Sequence, residues 1–115
     1  MTPWGTVELE PEVDAWFASL DDGEFGQAAF YLDLLEQEGV LLDEPYTRQL
    51  DGKLRELRFY VRGRRQRITY YIATGRRIIL LTVFAKTAPR EAREIARAKR
   101  AMLRCISEGH TAEED

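Results

Sequence analysis

Cysteine and histidine are almost missing from this chain: of its 115 residues one is a cysteine, Cys105, and one a histidine, His110. A lone cysteine forms no internal disulfide, which suits a reducing cytoplasm. One thiol and one imidazole build no transition-metal site of the usual ligand types, so neither metal nor cofactor is expected. A Ser–His or Cys–His nucleophile pair would need His110 to fold back from a polar tail that offers nothing to hold it. Long apolar runs are missing too. The longest, Ile78 to Val83 broken by Thr82, has the length of a buried strand and falls far short of the ~18–20 residues of a membrane span. Residues 1–10 lack a basic stretch followed by an apolar core, so no signal peptide is expected. Enzymatic chemistry here has to run on arginine, lysine, tyrosine or carboxylates.

Net charge is also small, −3, but it hides a division. Residues 1–51 carry thirteen acidic side chains and one basic one, Arg48, a charge of −12. Residues 52–104 carry sixteen basic and three acidic ones (Glu56, Glu91, Glu94), a charge of +13, and residues 105–115 add −4. Thirteen of the fourteen arginines follow residue 52, a concentration that coding bias does not produce. Such asymmetry points to a polyanionic partner for the basic half.

The length suits one domain, expected over residues 1–107, with 108–115 an acidic, disordered tail. Trp4 to Leu9 alternates and predicts a strand. Pro11 opens a helix carrying Val13, Trp16, Phe17 and Leu20 at helical spacing. Asp21 or Asp22 caps a second helix, whose stripe is Phe25, Ala28, Ala29, Leu32 and Leu35 and whose end is Gly39. The short connection predicts a helical hairpin. Residues 40–52 read as a loop. From Leu54 the period becomes two: Leu57, Phe59, Val61, then Ile68, Tyr70, Ile72; Ile78 to Phe84 is a third, mostly buried strand, and the turns fall at Gly63 and Thr74-Gly75. Pro89 opens a last helix with a stripe of Ala92, Ile95, Ala96, Met102, Leu103 and Ile106, ended by Gly109. The expected class is α+β: a four-stranded, mostly antiparallel sheet, an N-terminal helical hairpin and a C-terminal helix. The helices cover one sheet face and leave the other open.

If Leu57, Phe59 and Val61 face the helices, then Glu56, Arg58 and Tyr60 face outward, beside Arg67, Thr69 and Tyr71 of the next strand. Arginine pairs with phosphate and aromatic rings stack on unpaired bases, so this surface suits single-stranded nucleic acid. The competing view is a solvated face on which Glu56 and Arg58 neutralise one another. Lys86 at the last strand's end, with Arg90, Arg93 and Arg97 at helical spacing, makes a second basic group, against which Glu91 and Glu94 offer local pairing. Arg62, Arg64 and Arg65 at the Gly63 turn make a third.

The run Leu50-Asp51-Gly52-Lys53-Leu54-Arg55-Glu56-Leu57-Arg58 reads as "L-x-G" leading into "L-x-E-L-R". Arg67-Ile68-Thr69-Tyr70-Tyr71 follows, then Ile78 to Thr87, ending in Phe84-Ala85-Lys86-Thr87, and then Glu94-Ile95-Ala96-Arg97-Ala98. In order and spacing this succession resembles the HigB branch of the RelE/ParE toxin superfamily over about residues 5–106. The resemblance implies a RelE-like fold and ribosome-dependent cleavage of messenger RNA in the A site. In that chemistry a ribose 2′-OH attacks the adjacent phosphate, giving a cyclic phosphate and a 5′-OH without a metal.

By that resemblance Arg67 matches the arginine of "R-x-x-Y", Arg58 the basic end of the preceding strand, and Lys86 the lysine after the last strand. Thr87 stands where an arginine follows that lysine in RelE, and Arg90 or Arg93 is the candidate replacement. The expected catalytic set is Arg58, Arg67, Lys86 and Arg90. The expected RNA-binding set is Lys53, Arg55, Tyr60, Arg62, Arg64, Arg65, Tyr71, Arg93 and Arg97. The general base stays open among Lys53, Arg55 and a water. The implied partners are the ribosome, mRNA and a helix-turn-helix, HigA-like antitoxin, which alone reaches operator DNA; no membrane is involved. The alternatives are a gyrase-poisoning ParE-like toxin and a non-catalytic RNA- or protein-binding module of the same fold. Arg67→Ala is expected to abolish toxicity in a chain that still folds and binds its antitoxin.

Overall fold

The computed structural model describes residues 2–87 and 91–108. The elements are β1 (Thr6–Leu9), α1 (Pro11–Ala18), α2 (Asp22–Glu38), a short 3-10 turn (Gly39–Leu41), β2 (Thr47–Asp51), β3 (Leu54–Val61), β4 (Arg64–Ala73), β5 (Arg77–Ala85) and α3 (Glu91–Ser107). The strands make one mixed sheet in the order β1-β5-β4-β3-β2, with β1 parallel to β5 and the other pairs antiparallel.

The sheet has five strands rather than the four expected, because β2 lies inside the segment read as a loop. Among Thr47, Arg48, Gln49, Leu50 and Asp51 only Thr47 is buried. An edge strand with so little to bury leaves no apolar alternation to read.

The meander follows the expected turns. Arg62 and Gly63 both take positive φ, 49° and 76°, in the two-residue link between the paired Val61 and Arg64. That geometry matches the right-handed twist of the strands it joins. Asp21, rather than Asp22, caps α2. Its carboxylate accepts from the Glu24 N–H at 2.8 Å, and Glu24 accepts from the Asp21 N–H at 3.0 Å. The first two helices lie on one sheet face, α1 over β5 and α2 over β3. Val13, Phe17, Ala28 and Leu35 pack there on Leu57, Phe59, Ile68, Tyr70, Ile78 and Leu80. The Phe17 and Phe25 rings meet edge to face at 5.7 Å between the two helices.

The other face is not open along its whole length, which corrects the expected one-sided arrangement. There α3 lays Ala98, Ala101, Met102 and Cys105 on Leu54, Tyr71, Ala73, Ile79 and Leu81. This stripe is rotated from the expected one: Ala92, Ala96, Leu103 and Ile106 are exposed. The small residues at 98 and 101 let the helix approach the sheet closely, whereas ranking by size alone favours Leu103 and Ile106. Leu81 is an extra residue in β5 between the pairs Tyr70–Leu80 and Thr69–Thr82. The bulge puts Leu81 and Thr82 on the same face and keeps Phe84 opposite Arg67. Among the described residues no helix is long and apolar enough to cross a membrane. Arg90, Pro89, Gly109 and nearly all of the expected tail, including His110, lie outside the described residues.

Much of the charge division is internal stitching. Arg77 grips Glu8 at 2.7 and 2.9 Å, Arg62 meets Asp21 and Glu24, Arg97 meets Glu12 at 2.6 Å, and Lys99 meets Asp51 at 2.8 Å. Each pair joins the basic half to the acidic half.

Candidate nucleic-acid interface

The part of the α3-side face that α3 leaves uncovered holds a cleft of about 240 Å³, lined by Pro45, Arg58, Phe59, Tyr60, Arg65 and Arg67. Strand register builds it. Arg58 of β3 lies directly opposite Arg67 of β4, and Tyr60 lies opposite Arg65. Phe84 of β5 lies on the far side of Arg67. The Lys86 N–H donates to the Arg65 carbonyl at 2.9 Å, which ties the end of β5 to the same rim. The Lys86 ammonium holds the Glu91 carboxylate at 3.0 Å, and that hydrogen bond keeps the Glu91 carboxyl below its usual range.

Behind the cleft stands Glu56. In the sheet it is flanked by Arg48 of β2 and Thr69 of β4, and its side chain is fully buried. One carboxylate oxygen is 3.6 Å from Arg58 Nε and 3.7 Å from Arg67 Nε. These are ion-pair distances beyond hydrogen-bond reach. Neither oxygen of Glu56, nor the Nε of Arg58 or Arg67, has a hydrogen-bond partner among the described residues. Burial raises the Glu56 carboxyl above its usual range; Arg67 opposes this, Glu91 adds to it, and Arg58 and Arg48 oppose it. Burial also lowers Arg67, against the pull of Glu56, though a guanidinium stays charged throughout the physiological range.

A carboxyl that holds its proton more tightly when folded makes stability fall as pH rises. The fall begins at the ordinary value of 4.5 and runs up to the raised folded value. Glu8, Asp21 and Glu91 are lowered and act with the opposite sign, losing stability as pH falls. Glu56→Gln removes one of these contributions alone. The melting temperature of the variant minus that of wild type is therefore expected to grow as pH climbs through that window. A difference that stays flat across a calorimetric pH series would place Glu56 outside the buried environment described.

The structure gathers Arg58, Tyr60, Arg65, Arg67 and Lys86, and disperses several other expected site residues. Tyr71 is not on an open face: α3 covers it, it is 1 % exposed, and its hydroxyl donates to Cys105 Sγ at 3.5 Å. Arg55 points to the α1–α2 side, where it donates to Tyr70 and Thr47. Alternation requires this, since Glu56 takes the cleft side. Arg62 is held by the α2 cap carboxylates. Arg97 is clasped by Glu12 and Glu94. Arg64 has the parity of Val61, opposite to that of Arg65. Lys53 is exposed at the β2–β3 turn, and Arg93 is exposed on α3. Arg90 is outside the described residues. Three residues escaped the sequence reading as members of the site. Pro45 is a wall of the cleft. Arg48, the single base of the acidic half, stands beside Glu56. Glu56 itself was visible only as a partner that neutralises Arg58, although strand alternation already placed it on this face.

Chemically, the cleft offers a pair of guanidinium groups, a third at the rim and a ring that is 58 % exposed, Tyr60. Two adjacent forks of N–H donors suit the non-bridging oxygens of a phosphodiester, and the ring suits an unstacked base. A family model described as "Phage derived protein Gp49-like (DUF891)" matches residues 15–103. No curated protein matches the chain.

Proposed function

Because the chain belongs to the Gp49-like phage-derived protein family, part of the RelE/HigB-like toxin superfamily and associated with toxin–antitoxin systems, we propose that it is a toxin of HigB class, a ribosome-dependent mRNA endoribonuclease. The observation that carries this reading is the register pairing of Arg58 with Arg67 across the floor of a cleft walled by Tyr60 and Arg65. In the proposed reaction the 2′-OH of one nucleotide attacks the adjacent phosphorus. Its proton passes to a base, the bond to the 5′ oxygen breaks, and that oxygen takes a proton from water as it leaves. Arg58 and Arg67 stabilise the charge that builds on the pentacovalent phosphate, in a site whose donors are already oriented. Tyr60 stacks on a neighbouring base, and Lys86 and Arg65 hold the flanking backbone. Arg55 faces away from the cleft, which leaves Lys53 or a water as the base. The proposed partner is a helix-turn-helix, HigA-like antitoxin that carries the operator DNA contact, and the proposed place of action is the ribosomal A site in the cytoplasm.

Mapping mRNA 5′ ends after induction without the antitoxin tests the reading. Cuts phased to codons on translated messages are expected. Gyrase-dependent DNA breaks with intact mRNA would replace it with the ParE-like reading. Growth without either lesion would leave a binding module.

A further inference from the structure

We propose that Glu56 is the positioning residue of the cleft: its buried carboxylate holds Arg58 and Arg67 side by side with their Nε edges turned inward, so that the N–H donors not spent within the protein, where Arg67 Nη1 gives one to the Gln66 carbonyl at 3.1 Å, face an RNA phosphate. The proposal rests on the nuclease reading for its substrate and on geometry for everything else.

Three observations carry it. First, Arg58 and Arg67 are direct cross-strand partners. Like charges in that relation repel, and Glu56 is the anion that reaches both, at 3.6 and 3.7 Å through a single oxygen. Second, the other buried positions of β3 are Leu54, Leu57, Phe59 and Val61. A well-packed apolar side chain would serve the fold at least as well as a buried ion cluster, so packing alone does not account for a carboxylate here. Third, Glu56 is fully buried and touches no solvent, so whatever it contributes at the cleft passes through the arginines that line it, Arg58 and Arg67.

The groups that face Glu56 come from every side: Arg48 on β2, Arg58 on β3, Arg67 on β4 and Glu91 on α3. Lys86 is engaged by Glu91. Positioning needs the ionised carboxylate, and burial pushes that ionisation toward neutrality. Cleavage by wild type therefore gains an acid limb as Glu56 takes up its proton and releases the two guanidinium groups.

The test uses the full chain with programmed ribosomes, comparing wild type, Glu56→Gln, Glu56→Asp and Arg67→Ala. Glu56→Gln is expected to cleave roughly 10²-fold more slowly, as misplaced catalytic groups do. Its KM for the programmed ribosome should be nearly unchanged, and the acid limb should be gone. Glu56→Asp is expected to recover part of the rate and to keep the limb. In NMR spectra, the Arg58 and Arg67 Nε–H signals of wild type should titrate with Glu56, whereas in Glu56→Gln they should move toward free arginine and stop titrating. A Glu56→Gln variant with wild-type rate and acid limb overturns the proposal. If wild type cleaves nothing, the nuclease reading fails instead; if Arg67→Ala cleaves as well as wild type, Arg67 is removed from the chemistry while the nuclease reading stands. In either case the Nε–H signals decide the positioning alone, and signals unchanged by Glu56→Gln overturn it.

Discussion

Arg67→Ala is expected to end cleavage and also to weaken the fold. Removing a preorganised donor from a developing oxyanion costs ~3–4 kcal/mol of barrier, a loss of roughly 10²–10³ in rate. Seen as an outward strand residue, Arg67 should be removable with the fold intact. The structure reverses that expectation, because the residue is 4 % exposed and sits against a buried carboxylate. Breaking a buried pair by deleting one member costs up to ~3–5 kcal/mol, since the surviving charge is left without compensation. Arg58, half-buried, stays within 3.6 Å of Glu56 and softens that loss. Two activities of the residue can then be separated. Replacing both partners with apolar side chains, Glu56→Leu with Arg67→Met, removes the stranded charge and is expected to restore the urea midpoint toward wild type. Cleavage should stay absent. Arg58→Ala is expected to lose activity with a smaller loss of stability. A double variant that arrests growth like wild type would remove Arg67 from the chemistry.

The sequence shows well those parts of the fold in which one residue meets one kind of neighbour. β3 and β4 read as alternation because their α1–α2 face is apolar, with Leu57, Phe59, Val61, Ile68 and Tyr70 in one core, whereas β5 reads as a continuous apolar run because Ile78 and Leu80 enter that core and Ile79 and Leu81 the one under α3. The turns read from Gly63 and Gly75, whose φ values of 76° and 82° favour glycine. What stayed hidden depends on a second neighbour. Tyr71 looks like a stacking ring until α3 arrives to cover it, and α3 docks through alanines and Cys105 that carry little hydrophobic signal. β2 owes its existence to pairing with β3 and not to its own pattern. The candidate site divides in the same way. Arg58, Tyr60 and Arg67 follow from parity, whereas Arg62 and Arg97 look alike in sequence and are withdrawn by acidic partners forty-one and eighty-five positions away.

That withdrawal changes the meaning of the charge division. Acidic side chains of the first fifty-one residues meet Arg62, Arg77, Arg97 and Lys99 of the basic half, so part of the asymmetry holds the chain to itself. The exposed pairs among them contribute little to stability. They do, however, sort the cations. Among the described residues, those at the cleft, Arg58, Arg65 and Arg67, meet no carboxylate of the acidic half; the anion beside Arg58 and Arg67 is Glu56, which belongs to their own half and is buried. The electrostatic direction of the molecule is set by which arginines line the cleft, and less by how many there are.

Gly39→Ala is expected to produce the largest loss of stability without touching the cleft. Gly39 closes α2 at φ 52° and ψ −124°, a region that side chains do not occupy without strain, and its N–H still donates to the Leu35 carbonyl. A Cβ at this position would overlap the indole of Trp4, which lies across the helix end. Trp4 is fixed there because its N–H donates to the Glu36 carbonyl at 2.9 Å, just before β1 enters the sheet beside β5. The added methyl therefore meets two costs: backbone strain of about 1–3 kcal/mol and overpacking of about 1–3 kcal/mol against a ring that is packed on the core. At about 4 °C per kcal/mol the melting temperature should fall by roughly 10–20 °C. Trp4→Ala in the same chain separates the two. It removes the overlap, and with it the overpacking part of the Gly39→Ala penalty, but leaves the backbone part in place. The Gly39→Ala penalty measured in the Trp4→Ala background should therefore be about half that in wild type, as a double-mutant cycle reads it. A Gly39→Ala chain that melts with wild type would mean that α2 ends in a different conformation and that Trp4 does not lie across it.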